Sequence, residues 1–191
     1  MHSSARQRLF FALFPDAAFR TALVSVTGKV LYKRGKRVLP ENLHVTLVFL
    51  GAVDREQRLC AEAVASGLVI QPFVLTFDRV GHWPRQRVLW SAPTHVPQAL
   101  LTLVDSLNKG LGRCGFSPEK RPYRAHLTVA RKVAGAVPDV RHETLVWPVQ
   151  EFHLIESETR PQGAHYRVVC TWLLRGGRDC IVKIPPGSAE H

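Results

Sequence analysis

Residues 43–51 read LHVTLVFLG, and this stretch decides the fold because it combines a core strand with two polar side chains. In a β-strand, successive side chains point to opposite faces. Val45, Leu47 and Phe49 are therefore predicted to face the core, with Gly51 ending the strand. His44 and Thr46 then share the opposite face, so this strand is expected to carry an imidazole and a hydroxyl toward a functional site.

The same pattern occurs a second time. His126-Leu127-Thr128-Val129 repeats the order histidine, aliphatic, threonine, aliphatic, 82 residues (126 − 44) after His44. Each copy follows a turn that contains proline, at 39–42 and 120–124. A motif repeated at this spacing predicts two similar lobes related by a pseudo-twofold axis. Placed side by side, the two strands would bring both histidines and both threonines to one cleft.

The rest of the chain alternates between period-2 and helix-like apolar patterns, which indicates an α+β fold. Asp54 is expected to cap a helix whose buried stripe holds Leu59, Ala63 and Val64. Strands that follow one another through turns predict antiparallel pairing. Residues 1–175 are predicted to form a single bilobal domain, and 176–191 a loose C-terminal tail. The predicted strands are 8–14, 43–51, 72–83, 87–93, 125–133, 150–158 and 164–174, and the predicted helices follow Pro15-Asp16 and span 54–68 and 96–115.

Composition limits the partners. The chain has 191 residues and a formal charge of +11, which favours a polyanionic partner such as nucleic acid or another phosphate ligand. It has no apolar run of the roughly 20 residues that cross a bilayer. The apolar run near the N-terminus is too short for a signal peptide, so the cytoplasm is expected. The four cysteines, at 60, 114, 170 and 180, form no C-x-x-C pair and are expected to be reduced thiols.

Two histidines and two threonines in one cleft can act on a phosphodiester. One neutral and one protonated imidazole supply a general base and a general acid, and hydroxyls suit anionic oxygens. Neither motif adjoins an H-E-x-x-H or D-x-D pattern, so a metal-free reaction is predicted. The residues alone do not say which histidine is the acid. The other seven histidines lack such a setting and are expected to be surface or packing residues.

Positive charge for such a site could come from several basic residues. Strict alternation places Arg131 on the face opposite His126, so it reaches the phosphate only if the strand ends or bulges there. Arg124 is a second candidate. The basic cluster at 33–37 (Lys33, Arg34, Lys36 and Arg37) is either a solvated loop or an RNA contact.

Beyond the two motifs, longer strings are similar to one family. RLFFALFPD (8–16), LPENLHVTLVFLG (39–51), RPYRAHLTVARK (121–132) and the late FHLIESE and GAHYRVVCTWLL resemble the 2H phosphoesterase superfamily. The flanks point to its RNA 2′,3′-cyclic phosphodiesterase branch, also called the 2′-5′ RNA ligase or LigT-like family. The resemblance implies two antiparallel sheets around a central cleft, with helices outside.

The resemblance also implies an activity and residue roles. A terminal 2′,3′-cyclic phosphate on RNA, or a 2′,3′-cyclic nucleotide, would be hydrolysed to a 2′-phosphate without a cofactor or metal. His44 would protonate the leaving 3′ oxygen and His126 would activate water. Thr46 and Thr128 would hold the non-bridging oxygens, and Arg131 would add positive charge. The family also implies reversible, ATP-independent 2′-5′ joining of tRNA halves. We expect a monomer with no obligate protein partner and no membrane association.

Two alternatives stay open at this point. A basic module could bind RNA ends or terminal phosphates without turning them over, and another 2H branch would act on a different cyclic or 2′-5′-linked nucleotide. Three aromatic residues could stack on the terminal base or simply pack in the core or a loop. They are Phe11, Phe49 and Tyr123.

Overall fold

Ten strands and three helices form the structure, a computed structural model that describes residues 6–28, 30, 35–117, 119, 121–135, 137–160, 163–175 and 182–183. The strands are β1 Gln7–Leu13, β2 Lys36–Arg37, β3 Val45–Val53, β4 Phe73–Trp83, β5 Val88–Pro93, β6 Leu127–Arg131, β7 Val140–Val149, β8 Glu151–Arg160, β9 Gly163–Leu173 and β10 Val182–Lys183. The helices are α1 Ala17–Gly28, α2 Arg55–Ser66 and α3 Gln98–Gly112, and a 3₁₀ turn covers Pro40–Asn42.

The sheet is built from two halves with mirrored strand order. From the centre outward, one half runs β3-β1-β8-β9 and the other runs β6-β5-β4-β7. The halves meet at one residue pair, Val45 with Leu127, the residues that follow the two histidines. Every pairing between described strands is antiparallel. The α+β class and the pseudo-twofold arrangement are confirmed, with the two predicted sheets joined edge to edge at the motif strands.

The helices cover one face of this sheet and share its main hydrophobic core. Asp16 starts α1, because its Oδ1 accepts a hydrogen bond of 2.7 Å from the Phe19 amide. Asp54 caps α2 as predicted, in a capping box with Gln57. The predicted stripe of α2 is only partly right: Val64 packs against the core, but Leu59 is 53% exposed and Ala63 is exposed, and the fully buried residues are Ala61 and Ala65. Small buried residues let α2 approach the sheet closely.

Helix packing overturns the expectation that the cysteines are reduced thiols. α2 packs against α3, where a Cβ on Gly110 would lie 2.3 Å from Val64 Cγ1, so only glycine permits this approach. The contact brings the Cα atoms of Cys60 and Cys114 to 5.8 Å, and their sulfurs form a disulfide. Because 54 residues separate the two cysteines, no local spacing signals the bond. Cys170 is a free thiol, and Cys180 lies outside the described residues.

β3 departs from simple alternation. Its register against β1 shifts twice, so Leu47 and Leu50 are extra residues in the pairing. The predicted end of the strand at Gly51 is wrong, because β3 continues to Val53, with Gly51 at a φ of +77° inside it. The expected core position of Phe49 is also wrong: the first bulge turns its ring to the other face, where it is 55% exposed.

Several short or late elements were not predicted. They are β2, the 3₁₀ turn and the ten-residue strand β7, which pairs along β4. Part of the predicted tail is also ordered, because Val182 and Lys183 pair with Trp172 and Thr171 of β9. The remainder of that tail, at 176–181 and 184–191, lies outside the described residues.

Candidate active site

A cavity of about 310 Å³ opens on the helix-free face of the sheet, where the two halves meet. All five residues that the sequence proposes for the site contribute to its lining. Three further residues complete the wall, two from the β4–β5 turn region and one from β5. The lining consists of His44, Thr46, Trp83, Gln86, Val88, His126, Thr128 and Arg131.

The two histidines are held in the same way. His44 Nδ1 lies 2.7 Å from the carbonyl oxygen of Asn42, and His126 Nδ1 lies 2.7 Å from that of Arg124. Because a carbonyl oxygen only accepts, each Nδ1 carries a proton and donates it. The neutral ring then has its lone pair on Nε2, the nitrogen that remains for the cavity. The sequence repeat thus extends to a matched pair of oriented imidazoles.

Burial sets the charge state of both rings. The pKa of His44 falls from 6.5 to about 4, chiefly because burial disfavours the charged form. The Asn42 carbonyl opposes this shift, while Arg131 and His126 add to it. Burial likewise lowers the pKa of His126, with a smaller contribution from Arg131, against the Arg124 carbonyl. Both imidazoles are therefore largely neutral at pH 7.

Aromatic side chains account for this desolvation. The ring of His44 lies 5.1 Å from that of Phe10, 5.4 Å from Phe14 and 5.1 Å from Tyr166, between centroids. The sequence analysis missed these neighbours, although alternation along the predicted strand 8–14 already places Phe10 and Phe14 on one face.

On the other side of the cavity, the Trp83 ring packs edge-on against His126 at 4.6 Å. Trp83 ends β4 and pairs with Val88 of β5, and both side chains line the cavity. No local signal in the sequence marks this tryptophan, because the β4–β5 hairpin meets β6 only in the folded chain.

A bulge delivers Arg131 to the cavity. Leu89 and Trp90 of β5 pair with Ala130 and Thr128, so Val129 is an extra residue in β6. Val129 and Ala130 are accordingly both buried, although they are neighbours in a strand. The extra residue reverses the alternation and returns Arg131 to the face of Thr128. This is the condition under which the sequence allowed Arg131 to reach the site.

The remaining candidate cations occupy different places. Arg124 contributes its carbonyl oxygen to His126, and its side chain is exposed. Lys36 and Arg37 form β2, which pairs with the end of β6. Lys33 and Arg34 lie outside the described residues.

The three candidate aromatic residues lie in three different environments. Phe11 is fully buried in the main core. The Tyr123 hydroxyl donates a hydrogen bond of 3.1 Å to the carbonyl oxygen of Thr46. It therefore helps to hold the backbone of Thr46, which lines the cavity. Burial raises the pKa of Tyr123, which keeps it a donor. Phe49 lies on the cavity face, stacked on Phe10 at 5.9 Å between ring centroids.

No metal-binding cluster accompanies these groups: within the described part of the chain, no three His, Cys, Asp or Glu side chains group closely enough to hold an ion. Nor does any helix among the described residues have the length and apolar character needed to span a membrane.

Comparisons with known proteins place this arrangement in context. The family model described as the 2′-5′ RNA ligase superfamily matches residues 15–161. The RNA 2′,3′-cyclic phosphodiesterase of Escherichia coli strain K12 is 33% identical over 175 residues, covering 90% of this chain and 98% of that protein. Its namesake from Thermus thermophilus is 34% identical over 189 residues, covering 90% and 93%.

Solved structures agree with the sequence relatives. The apo form of E. coli LigT superposes with a TM-score of 0.84 at 31% identity, covering 90% of this chain and 99% of that one. A crystal structure of E. coli LigT complexed with 3′-AMP gives a TM-score of 0.81 at 31% identity, with the same coverage.

Proposed function

This chain belongs to the 2′-5′ RNA ligase superfamily, and we propose that it hydrolyses the terminal 2′,3′-cyclic phosphate of RNA to a 2′-phosphate. One observation carries the proposal. Two imidazoles line one cavity, one from each half of the sheet. Each donates its Nδ1–H to a backbone carbonyl oxygen, which leaves Nε2 for the cavity. Such a pair can serve both sides of a phosphorus atom held between them.

The other lining groups suit the phosphate. The hydroxyls of Thr46 and Thr128 can donate to its two non-bridging oxygens, and the guanidinium of Arg131 adds positive charge. Charge that builds on these oxygens during attack is stabilised by donors already in position.

The proposed reaction moves one proton on each side of phosphorus. Water attacks in line with the 3′ oxygen while His126 Nε2 takes a proton from it. A new P–O bond forms, the P–O3′ bond breaks, and His44 gives its Nε2 proton to the leaving oxygen. The 2′ ester bond survives, so the product is a 2′-phosphate. The division of roles between His44 and His126 is the one that the family resemblance implies.

The substrate itself supplies the asymmetry that an acid and a base require. Burial keeps both histidines largely neutral, and a bound phosphate anion favours the charged form of an adjacent imidazole. One ring then takes up a proton on binding and becomes the acid, while the other stays neutral and serves as the base. Substrate binding is thereby coupled to uptake of one proton.

The experiment is phosphorus NMR of wild type and variants incubated with 2′,3′-cyclic AMP and with an RNA oligonucleotide that ends in a cyclic phosphate. Wild type is expected to produce the 2′-monoester, at the same rate with and without EDTA. His44→Ala and His126→Ala should each lower the rate by about 10²–10⁴-fold. His165→Ala, at an exposed position of β9, is the matched control and should leave it unchanged.

Three outcomes would overturn the proposal in different ways. Binding of cyclic nucleotide without any monoester would indicate a module that only recognises RNA ends. A 3′-phosphate product would point to another branch of the 2H superfamily. Complete loss of activity in EDTA would refute the metal-free mechanism.

We propose reversible RNA joining by the same reaction with a different nucleophile. If an RNA 5′-hydroxyl attacks the cyclic phosphate in place of water, His126 takes the proton of that hydroxyl, the P–O3′ bond breaks and His44 protonates O3′. A 2′-5′ phosphodiester then forms without ATP, and His44 and His126 exchange their roles when this linkage is cleaved again. The description of the matching family favours this second activity. A shift of a labelled RNA half to a longer product, absent in His126→Ala, would test it.

The setting in which the enzyme works is also a proposal. We infer that residues 1–175 act as one domain, because a single core cluster extends from Leu9 to Leu174. We also propose that the protein is a monomer without an obligate protein partner. We place it in the cytoplasm with its RNA substrate. Light scattering on purified protein and fractionation of cells test these inferences.

A further inference from the structure

The short strand β2 brings a second cation to the cavity edge. Lys36 pairs directly with Arg131 of β6, and Arg131 pairs on its other side with Val88 of β5. Residues directly opposite each other in antiparallel strands share a face, with Cβ atoms about 5 Å apart. Arg131 and Val88 line the cavity, so Lys36 belongs to the cavity face beside Arg131.

The neighbouring residue lies on the opposite face. Arg37 pairs with Ala130, which is fully buried on the helix side of the sheet. Lys36 and Arg37 are both exposed and carry the same charge one residue apart. They differ in which face of the sheet they occupy, and this makes Arg37 a natural comparison for Lys36.

Backbone geometry holds β2 in this register. Gly35 has a φ of +93°, and a Cβ there would lie 2.7 Å from the carbonyl oxygen of Arg131. Only glycine permits so close an approach to β6. On the other side of β2, the amide of Val38 donates a 3.0 Å hydrogen bond to the Val129 carbonyl, continuing the pairing past the bulge. Lys36 is therefore fixed next to Arg131.

Two like charges side by side are unfavourable without a counterion. Cross-strand pairs of equal charge destabilise a sheet. Within the described residues, the ion pairs include no carboxylate on Lys36 or Arg131. An anion that spans both positions would remove the repulsion.

We propose that Lys36 binds the internucleotide phosphate next to the terminal cyclic phosphate, which makes an RNA strand a better substrate than a cyclic mononucleotide. This inference rests on the proposed function and specifies its substrate class. Arg131 serves the phosphate in the cavity, and the next cation along the same face meets the following phosphate of the strand. An ammonium group on a flexible stem accepts any oxygen of that phosphate, so the contact is independent of base sequence.

The test compares kcat/KM for 2′,3′-cyclic AMP with kcat/KM for an RNA hexamer that ends in a cyclic phosphate. Lys36→Ala should lower the value for the hexamer about tenfold, the effect of losing one charged contact, and leave that for cyclic AMP unchanged. Arg37→Ala should change neither by more than about twofold. Lys36→Arg should restore the hexamer value. The slope of log(kcat/KM) against log salt should fall by about 0.7 in Lys36→Ala.

Equal losses in Lys36→Ala and Arg37→Ala would overturn the inference, because they would show only a general effect of net charge. An equal loss on cyclic AMP would also overturn it. If wild type hydrolyses neither substrate, the proposed function fails, and fluorescence anisotropy with a 2′-phosphorylated RNA hexamer still tests Lys36. Weaker binding in Lys36→Ala but not in Arg37→Ala would then support the phosphate contact, and equal binding would refute it.

Discussion

Replacing His44 by asparagine tests whether burial holds this imidazole neutral. The asparagine amide can donate to the Asn42 carbonyl in place of Nδ1–H, but it has no proton to gain between pH 7 and pH 5. Wild type must protonate a ring whose pKa is about 4 when folded, whereas 6.5 is its ordinary value. The unfolded chain therefore binds the proton more readily, and wild type loses stability as the pH falls below 6.5.

The size of the effect follows from those two pKa values. Linkage makes the His44 contribution to destabilisation negligible at pH 7 and about 2 kcal/mol at pH 5. It approaches about 3 kcal/mol below pH 4. We expect the stability difference, wild type minus His44→Asn, to fall by about 2 kcal/mol between pH 7 and pH 5.

Urea unfolding at pH 7, 6 and 5 measures this difference. Burial also lowers the pKa values of His126 and His153, but these residues titrate in both proteins and largely cancel in the comparison. His165→Asn, at an exposed position, is the control and should show a constant difference. A constant difference for His44→Asn as well would refute the argument that burial keeps the ring neutral.

Three further predictions concern groups around the cavity and behind it. Arg131→Gln removes a positive charge that lowers the pKa of both cavity histidines, so the acid limb of the kcat/KM profile should move to higher pH; an unmoved limb would contradict this. Replacing Cys60 and Cys114 by serine frees a loop of 54 residues and should lower the free energy of unfolding by about 2–4 kcal/mol, with kcat unchanged because the bond joins α2 to the turn after α3, on the far side of the sheet. A loss below about 1 kcal/mol in guanidinium unfolding would count against it. Tyr123→Phe removes the hydrogen bond to the Thr46 carbonyl and should lower the free energy of unfolding by about 1 kcal/mol. An unchanged melting temperature would show that the bond contributes nothing to stability.

The second motif strand shows two features with different origins: the alternation of its motif residues and the position of Arg131. The alternation of His126, Leu127 and Thr128 is local, and the strand keeps it. The position of Arg131 depends on an extra residue relative to β5, a strand about 40 residues earlier in the chain. Alternation within one strand contains no information about pairing with another, so the sequence could state the condition for Arg131 but not decide it.

Phe49 and the cysteines show the same limit of predictions made from one segment at a time. The predicted core position of Phe49 assumed an unbroken period of 2, and the bulge at Leu47 that reverses it arises from pairing with β1. Cys60 lies on α2 and Cys114 in the turn after α3, and only the packing of α2 on α3 makes their sulfurs neighbours. Both predictions are wrong because they treated each segment without its partner.

The amino-acid sequence by itself determined the α+β class, most of the strands and helices, and the paired His-x-Thr motifs, because periodicity and repetition are properties of the chain read in one dimension. Tertiary structure alone decided the bulges, the disulfide and the register of Lys36 beside Arg131. It also decided the neutrality of the two histidines, since desolvation comes from aromatic rings on other strands. These properties depend on contacts between distant segments, and such contacts exist only once the chain has folded.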